Sequence, residues 1–306
     1  MSPTPAFELV VVAYRSRANV EGLLAAMPGD LAVVVVDNSG DSDGIRRVVE
    51  ARPNGRYLDA GGIGFAAAEN LGARTSRHGI LVFGNPDSRP SYATYLALVD
   101  EVAADERVAS AAASLTGPDG RVELGVAGWE PTVRRALVHA AGLHKVWPRA
   151  GLFARPEPGE PIDVDWTTGA AFAVRRSTFL GLGGFDESFY VYNEDVAYGR
   201  AARERGLRQV LRTDLLVPHA AGGSGAPSLE MMRLRGASMA RYVARHRGPA
   251  RAGAVRAALG LGYALRVGHQ LARRDVGRAR EHAAYVTGLA TGRAFVGGRE
   301  VTAGRS

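Results

Sequence analysis

Two adjacent carboxylates, Glu194 and Asp195, stand between an aromatic stretch, GGFDESFYVYN, and an arginine-dotted run with helical spacing, VAYGRAARERG. Acidic residues favour the first turn of a helix, where they offset the positive end of its dipole, so the placement can be purely structural. It can equally serve a general base, because a carboxylate within reach of a hydroxyl takes its proton as the oxygen attacks. Like-charge proximity raises one of the two pKa values, which suits a base. Asp87, in Asn85-Pro86-Asp87-Ser88, is a candidate ligand for Mg2+ or Mn2+, ions that take one or two carboxylates plus phosphate oxygens. All four are also ordinary turn residues. His219, in HAAGGS, could ligate a metal while the glycines let backbone N–H groups approach a phosphate, or it could be a structural histidine. Asp37, in VVDNSGDSDG, sits among Asp, Asn, Ser and Gly residues that make ordinary loops. Gly62-x-Gly64-x-x-Ala67 is a loose dinucleotide fingerprint, with Asp87 as a stretched ribose partner. It could also be a tight turn or part of a different nucleotide site.

The elements that must hold these groups can be read from hydrophobic spacing. Residues 7–13 (FELVVVA), 31–36 (LAVVVV) and 80–84 (ILVFG) are continuous apolar runs, as in strands buried on both faces of a parallel sheet. Between the first two, Val20, Leu23, Leu24 and Met27 have helical spacing, with Ser16 or Asn19 as caps and Pro28-Gly29 as the stop. Helices are expected over 43–51, 65–76 and 91–106, a weak strand near 56–58 and a strand over 108–115. Residues 116–165 read as irregular; a strand follows within 165–176, a short helix over 177–182, a clear helix over 196–206 and a strand-like run before His219. The alternation predicts a doubly wound, mostly parallel α/β sheet with ligands beyond the carboxyl ends of its strands. Tyr14, Asp37 to Ser39 and Asn85 to Asp87 all follow such ends. A dinucleotide fold puts its glycine turn after the first strand, whereas here a complete β-α-β unit comes first.

The 306 residues are 46% hydrophobic and contain no cysteine, which excludes disulfides and thiolate chemistry. The first twenty residues predict no secretory leader, and no run reaches the ~18 uncharged apolar residues of a membrane span. The net charge of +7 is unevenly spread: residues 226–306 hold 15 arginines against 4 acids, while the rest is slightly acidic. Lys145 is the only lysine. This tail mixes arginine with apolar patches such as AALGLGYAL, suiting either an anionic membrane surface or helices packed on the preceding part. No aromatic-interleaved basic stripe points to nucleic acid.

Taken in order, VVVAYRS, VVVVDNSGDSDG, GIGFAAAEN, VFGNPDS, DWTTGAAFAVRRSTFLGLGGFDESFYVYNEDV and HAAGGS resemble the family-2 glycosyltransferases of the GT-A fold. The likeness is to their bacterial rhamnosyltransferase-like branch. It runs from about residue 7 to 225 and is most specific over 165–196. It implies a Rossmann-like nucleotide-binding half and an acceptor half within 1–225, followed by a basic helical extension, 226–306. It further implies inverting transfer of a sugar from a nucleoside diphosphate to a hydroxyl of a lipid-linked or polysaccharide acceptor. By resemblance, Tyr14, Asp37, Ser39, Gly64, Asn70, Asn85 and Asp87 fall on the donor side. Asp87 and His219 fall at a divalent cation, Trp166, Thr168, Gly169, Asp186 and Glu187 on the acceptor side, and Asp195, with Glu194 beside it, at the general base. The first donor implied is dTDP-rhamnose, with UDP-sugars and GDP-mannose behind it. The implied location is cytoplasmic, at the inner face of the membrane.

The chain departs from the family's pattern in three places. Asn85-Pro86-Asp87 replaces two aspartates, Gly62 stands where an Asn is usual, and Ala197 stands where a further acid follows EDV. Two other readings stay open: a catalytically silent nucleotide-sugar-binding relative and, more distantly, an NAD(P)-dependent oxidoreductase.

Overall fold

The computed structural model describes residues 6–154, 157–220 and 228–302. Phe7–Ala13 (β1) and Val33–Asp37 (β2) are buried along their whole length, as runs apolar at every position require. Arg17–Ala25 (α1) links them and buries Val20, Leu23 and Leu24. Ile45–Glu50 (α2), Gly55–Asp59 (β3), Phe65–Thr75 (α3), Ile80–Gly84 (β4), Tyr92–Ala104 (α4) and Val108–Thr116 (β5) continue the alternation. β3, β2, β1 and β4 lie side by side, all parallel. Strand order reverses about β1, which opens a crevice at the carboxyl ends of β1, β2 and β4.

The second half begins with Ala127–Gly128 (β6) and Val133–Ala140 (α5), followed by Ile162–Val164 (β7), Trp166–Thr167 (β8), Ala171–Arg175 (β9), Arg176–Gly181 (α6), Glu194–Glu204 (α7) and Arg208–Pro218 (β10). β9 runs antiparallel between β4 and β5 and splices the halves into one eight-stranded sheet, β3-β2-β1-β4-β9-β5-β10-β7. Phe83, Phe172, Phe179, Phe185 and Tyr198 pack ring on ring, with centroids 5.1 to 6.2 Å apart, and tie β4, β9 and α6 to α7. α5 lies in the segment expected to be irregular. Its Thr132 cap accepts from the Arg135 amide, and Ala140 at its end packs on Gly262, more than 100 residues away.

Ser228–His246 (α8), Pro249–Ala272 (α9) and Val276–Thr291 (α10) follow, then a hairpin of Phe295–Val296 (β11) and Arg299–Glu300 (β12). α8 and α10 meet backbone to backbone, because a side chain at Gly236 or Gly288 would run into the carbonyls of Tyr285 or Arg233. Tyr242, Val243, Val255, Leu259, Tyr285 and Leu289 share one apolar cluster with Trp166, Phe189 and Val196. The inner faces of these helices therefore pack behind the start of α7. Among the described residues no helix is long and apolar enough to cross a membrane.

Candidate active site

Asp37 ends β2 fully buried, a position a carboxylate holds only when its oxygens are satisfied. Its Oδ1 accepts from the Ser39 amide at 2.8 Å and the Ser39 hydroxyl at 2.6 Å. Its Oδ2 accepts from the Asp41 amide at 2.6 Å and the Tyr57 hydroxyl at 3.0 Å. Burial works against its charge, but these donors outweigh it and hold the carboxyl below the ordinary range. Tyr57 was not anticipated; its only sequence signal is a phenol in a strand that pairs with β2. Tyr14 stands exposed at the end of β1, and the Arg15 amide beside it donates to Ser39 Oγ. Gly64 opens α3 at φ 97°, its carbonyl accepting from Asn38, and a side chain there would strike the Tyr190 ring. Asn70 spends both polar atoms inside the protein. Its amide nitrogen donates to Phe185 O at 2.7 Å and to Glu187, and its oxygen accepts from the Phe185 amide. It therefore fixes the turn that carries Asp186 and Glu187.

At the end of β4, the Asn85 amide donates to Ala170 O, and the Asn85 carbonyl accepts from Ser88. Asp87 Oδ1 lies 3.2 Å from Nε2 of His219, which directly follows β10, and His219 Nδ1 lies 3.1 Å from Glu123. Burial disfavours the charged ring, but hydrogen bonds and charge from Asp87 and Glu123 raise the His219 pKa overall. Among the described residues no group of three or more His, Cys, Asp or Glu side chains is arranged to hold an ion. One carboxylate and one imidazole fit an ion that completes its shell with diphosphate oxygens and water. Residues 221–224 of the HAAGGS motif lie outside the described residues.

On the acceptor side, Trp166 is buried and donates its indole N–H to Trp129 O. The Thr168 amide donates to Val126 O, and Gly169 sits against Phe65 and Phe185. Asp186 pairs with Arg245 at 2.6 Å, and Glu187 with Arg74 at 3.0 Å. Tyr192 and Asn193, both left-handed at φ 70° and 72°, then turn the chain into α7. Each such non-glycine residue costs on the order of 1–3 kcal/mol and persists only where its surroundings impose it. α8 imposes it here: Ser238 donates to Val191 O, Arg241 to Ser188 O, and the Arg235 guanidinium lies 4.5 Å over the Tyr192 ring.

That turn delivers Glu194 and Asp195 as the first residues of α7. Burial pushes the Asp195 carboxyl up to about 6, against opposing pulls from the Val196 amide and the Arg235 charge. Glu194 is pushed up by burial and by Asp195. Beneath them Glu69, fully buried on α3 with neither oxygen hydrogen-bonded, is pushed up by burial and by Glu194. Nothing in the spacing of GGIGFAAAEN signalled this third carboxyl. Two cavities of about 620 and 640 Å³ lie elsewhere, one beside Trp129 and Asp163 and the other at the amino ends of β1 and β3. The conserved logic of such sheets places ligands at the opposite, carboxyl ends.

No family model matches the chain. It is 31% identical over 229 residues, 68% of its own length and 73% of the relative's, to the N-acetylglucosaminyl-diphospho-decaprenol L-rhamnosyltransferase of Mycobacterium tuberculosis. It is 26% identical over 206 residues, 65% of this chain and 62% of the other, to the low-salt glycan biosynthesis hexosyltransferase Agl10 of Haloferax volcanii. Its fold matches the mannosyltransferase PcManGT from Pyrobaculum calidifontis, solved with GDP-Man and Mn2+. The TM-score is 0.57 at 18% identity, over 95% of this chain and 88% of that one. The loop of Gly62 and Gly64 follows β3 rather than β1, as a nicotinamide fingerprint would not. The chain belongs to the family-2 glycosyltransferases of the GT-A fold, in their rhamnosyltransferase-like branch, and is an enzyme of glycan synthesis.

Proposed function

We propose that the protein is an inverting transferase that moves a hexosyl unit, rhamnose first, from dTDP-rhamnose to a hydroxyl of a polyprenyl-diphosphate-linked sugar. UDP-sugars and GDP-mannose are the next donors to test. The observation that carries this reading is Asp195, a carboxyl raised to about 6 at the mouth of α7. The acceptor oxygen attacks the anomeric carbon, the bond to the diphosphate breaks, and the acceptor's proton passes to Asp195. One displacement inverts the centre and needs no enzyme nucleophile. Asp37, Ser39 and Tyr14 bind the nucleoside at the ends of β1 and β2. Asp87 and His219 would hold a divalent cation, which when bound supplies Lewis-acid stabilisation of the charge on the departing diphosphate. The rhamnosyl donor and lipid-linked acceptor follow the name of the mycobacterial relative, and the cation follows the Mn2+ of the fold's neighbour.

Residues 1–225 then act as the transferase unit and 226–306 as an extension that touches the inner face of the membrane. The outer face of α9 supports this: Ala254, Ala257, Leu261, Ala264, Leu265 and Gly268 are exposed and uncharged, with Arg251, Arg273 and Arg274 at either end. The first experiment is a thermal-shift panel of dTDP-rhamnose, UDP-glucose, UDP-galactofuranose, GDP-mannose and NADPH, each with and without Mn2+. A native-state ligand at 100 times its Kd stabilises by about 2.7 kcal/mol. One nucleotide sugar should shift melting, and turnover should fall about 10²–10⁴-fold in Asp195→Asn. Stabilisation by NADPH alone, or full turnover in Asp195→Asn, overturns the proposal.

A further inference from the structure

We infer that Glu123 is a positioning residue that sets which nitrogen of His219 faces the cation. The inference rests on the proposed metal site of Asp87 and His219. Glu123 lies in the turn after β5, where its amide donates to Leu115 O at 2.8 Å. Its two carboxylate oxygens lie 3.1 and 3.3 Å from His219 Nδ1. The ring's other nitrogen, Nε2, faces Asp87 Oδ1 at 3.2 Å. His219 itself is anchored on both sides, its amide donating to Thr116 O while the Ala220 amide donates to Asp87 O. Side-chain exposure is 13% for His219, 14% for Asp87 and 22% for Glu123, so water competes weakly for these contacts.

An imidazole can offer either nitrogen to a metal, and the hydrogen bond made by the other decides which. A carboxylate can only accept, so without an ion Glu123 draws a proton to Nδ1 and Asp87 draws one to Nε2; with an ion on Asp87 and Nε2, Glu123 holds the remaining proton on Nδ1. Glu123 lies on the far edge of the ring and touches no ion held between Asp87 and Nε2. Nothing in the sequence links positions 123 and 219, which meet only because β10 lies against β5.

Mn2+ affinity, read from the electron paramagnetic resonance of the free ion, tests the role in wild type, Glu123→Gln, Glu123→Ala and Asp87→Ala. Partners of this kind are typically worth 10- to 100-fold in metal affinity. Glu123→Ala should lose about that much, and Glu123→Gln less, because its amide oxygen can still accept from Nδ1. Nitrogen chemical shifts of His219 at alkaline pH, where the ring is neutral, should show a larger Nδ1–H share in wild type than in Glu123→Ala, where Asp87 alone draws the proton to Nε2. Equal Mn2+ affinity in wild type and Glu123→Ala overturns the inference, as does an unchanged tautomer. Should Glu123→Ala fail to fold, Glu123→Leu, which keeps the bulk and offers no acceptor, is read in its place. Metal-free binding of dTDP-rhamnose is measured alongside. If wild type binds the nucleotide sugar but no Mn2+, this inference falls and the transferase reading stands; if it binds neither, both fall.

Discussion

Asp195 must be anionic to accept a proton, yet it is held where burial favours the neutral acid. With its pKa raised to about 6, it is a carboxylate at pH 7 and becomes the neutral acid as pH falls through that value. Turnover should therefore decline about tenfold per unit below about pH 6, roughly two units above where an ordinary aspartate would fail. A pH profile of kcat that stays flat to pH 5 would exclude Asp195 as the base. Asp195→Asn should lower kcat by about 10²–10⁴-fold while leaving donor affinity intact, which single-turnover kinetics and donor titration separate. Arg235 favours the charged form of Asp195. Arg235→Met should therefore move the acid limb to higher pH, and an unmoved limb would reduce Arg235 to its stacking on Tyr192.

At the scale of elements, α7 is fastened from behind by one carboxylate. Glu130 accepts from Arg200 at 2.7 Å, Arg203 at 2.8 Å and the Tyr242 hydroxyl at 2.9 Å, and forms an ion pair with Arg247 at 2.9 Å, joining α7 to α8. Burial opposes its charge, but Tyr242 and the arginines hold its pKa below the usual range. Glu130→Ala removes the acceptor shared by three partly buried guanidinium groups, which keep only Glu204, Asp165 and Pro131 O, and should cost about 1–3 kcal/mol in urea unfolding, with kcat falling as the 186–193 turn loosens. A loss under 1 kcal/mol would mean that the network is solvent-screened. None of this was legible in the sequence, because the partners lie 70 to 117 positions from Glu130. The strands were legible, since Val33 to Val36 are apolar at every step and only a doubly covered strand accepts that. α5 was not: VRRALVHA is too short to declare itself, and the helix is completed by docking Ala140 on Gly262. The carboxylates Asp37, Asp87 and Asp195 could be picked out as residue types after strands or at a helix start. Tyr57, Glu69 and Glu123 could not, because burial and facing partners define them and neither is local in the chain.

The molecule as a whole is polarised. Its positive charge collects in residues 226–306, whose inner apolar faces are spent on Trp166, Phe189 and Val196. What remains outside on α9 is an uncharged face with Leu261 and Leu265 each 63% exposed, in a segment rich in arginine. Beside it, α5 packs on α9, and Leu137 and Trp147 of the α5 region stay 55% and 59% exposed. Isolated apolar side chains on a surface need no explanation, but a helical face without charge amid like-signed arginines does. A second copy would bring arginine against arginine, whereas an anionic bilayer meets both the leucines and the charge. Basic residues near such a surface contribute about 1 kcal/mol each, and burying a leucine contributes about 1.5–3 kcal/mol. The protein should sediment with vesicles containing phosphatidylglycerol and not with pure phosphatidylcholine, and binding should weaken as salt rises. Leu261→Ser with Leu265→Ser should lower vesicle partition more than tenfold while turnover on a short-chain, water-soluble acceptor stays unchanged. If those substitutions instead dissolve a dimer seen by analytical ultracentrifugation and leave vesicle binding untouched, the face belongs to a second copy of the chain.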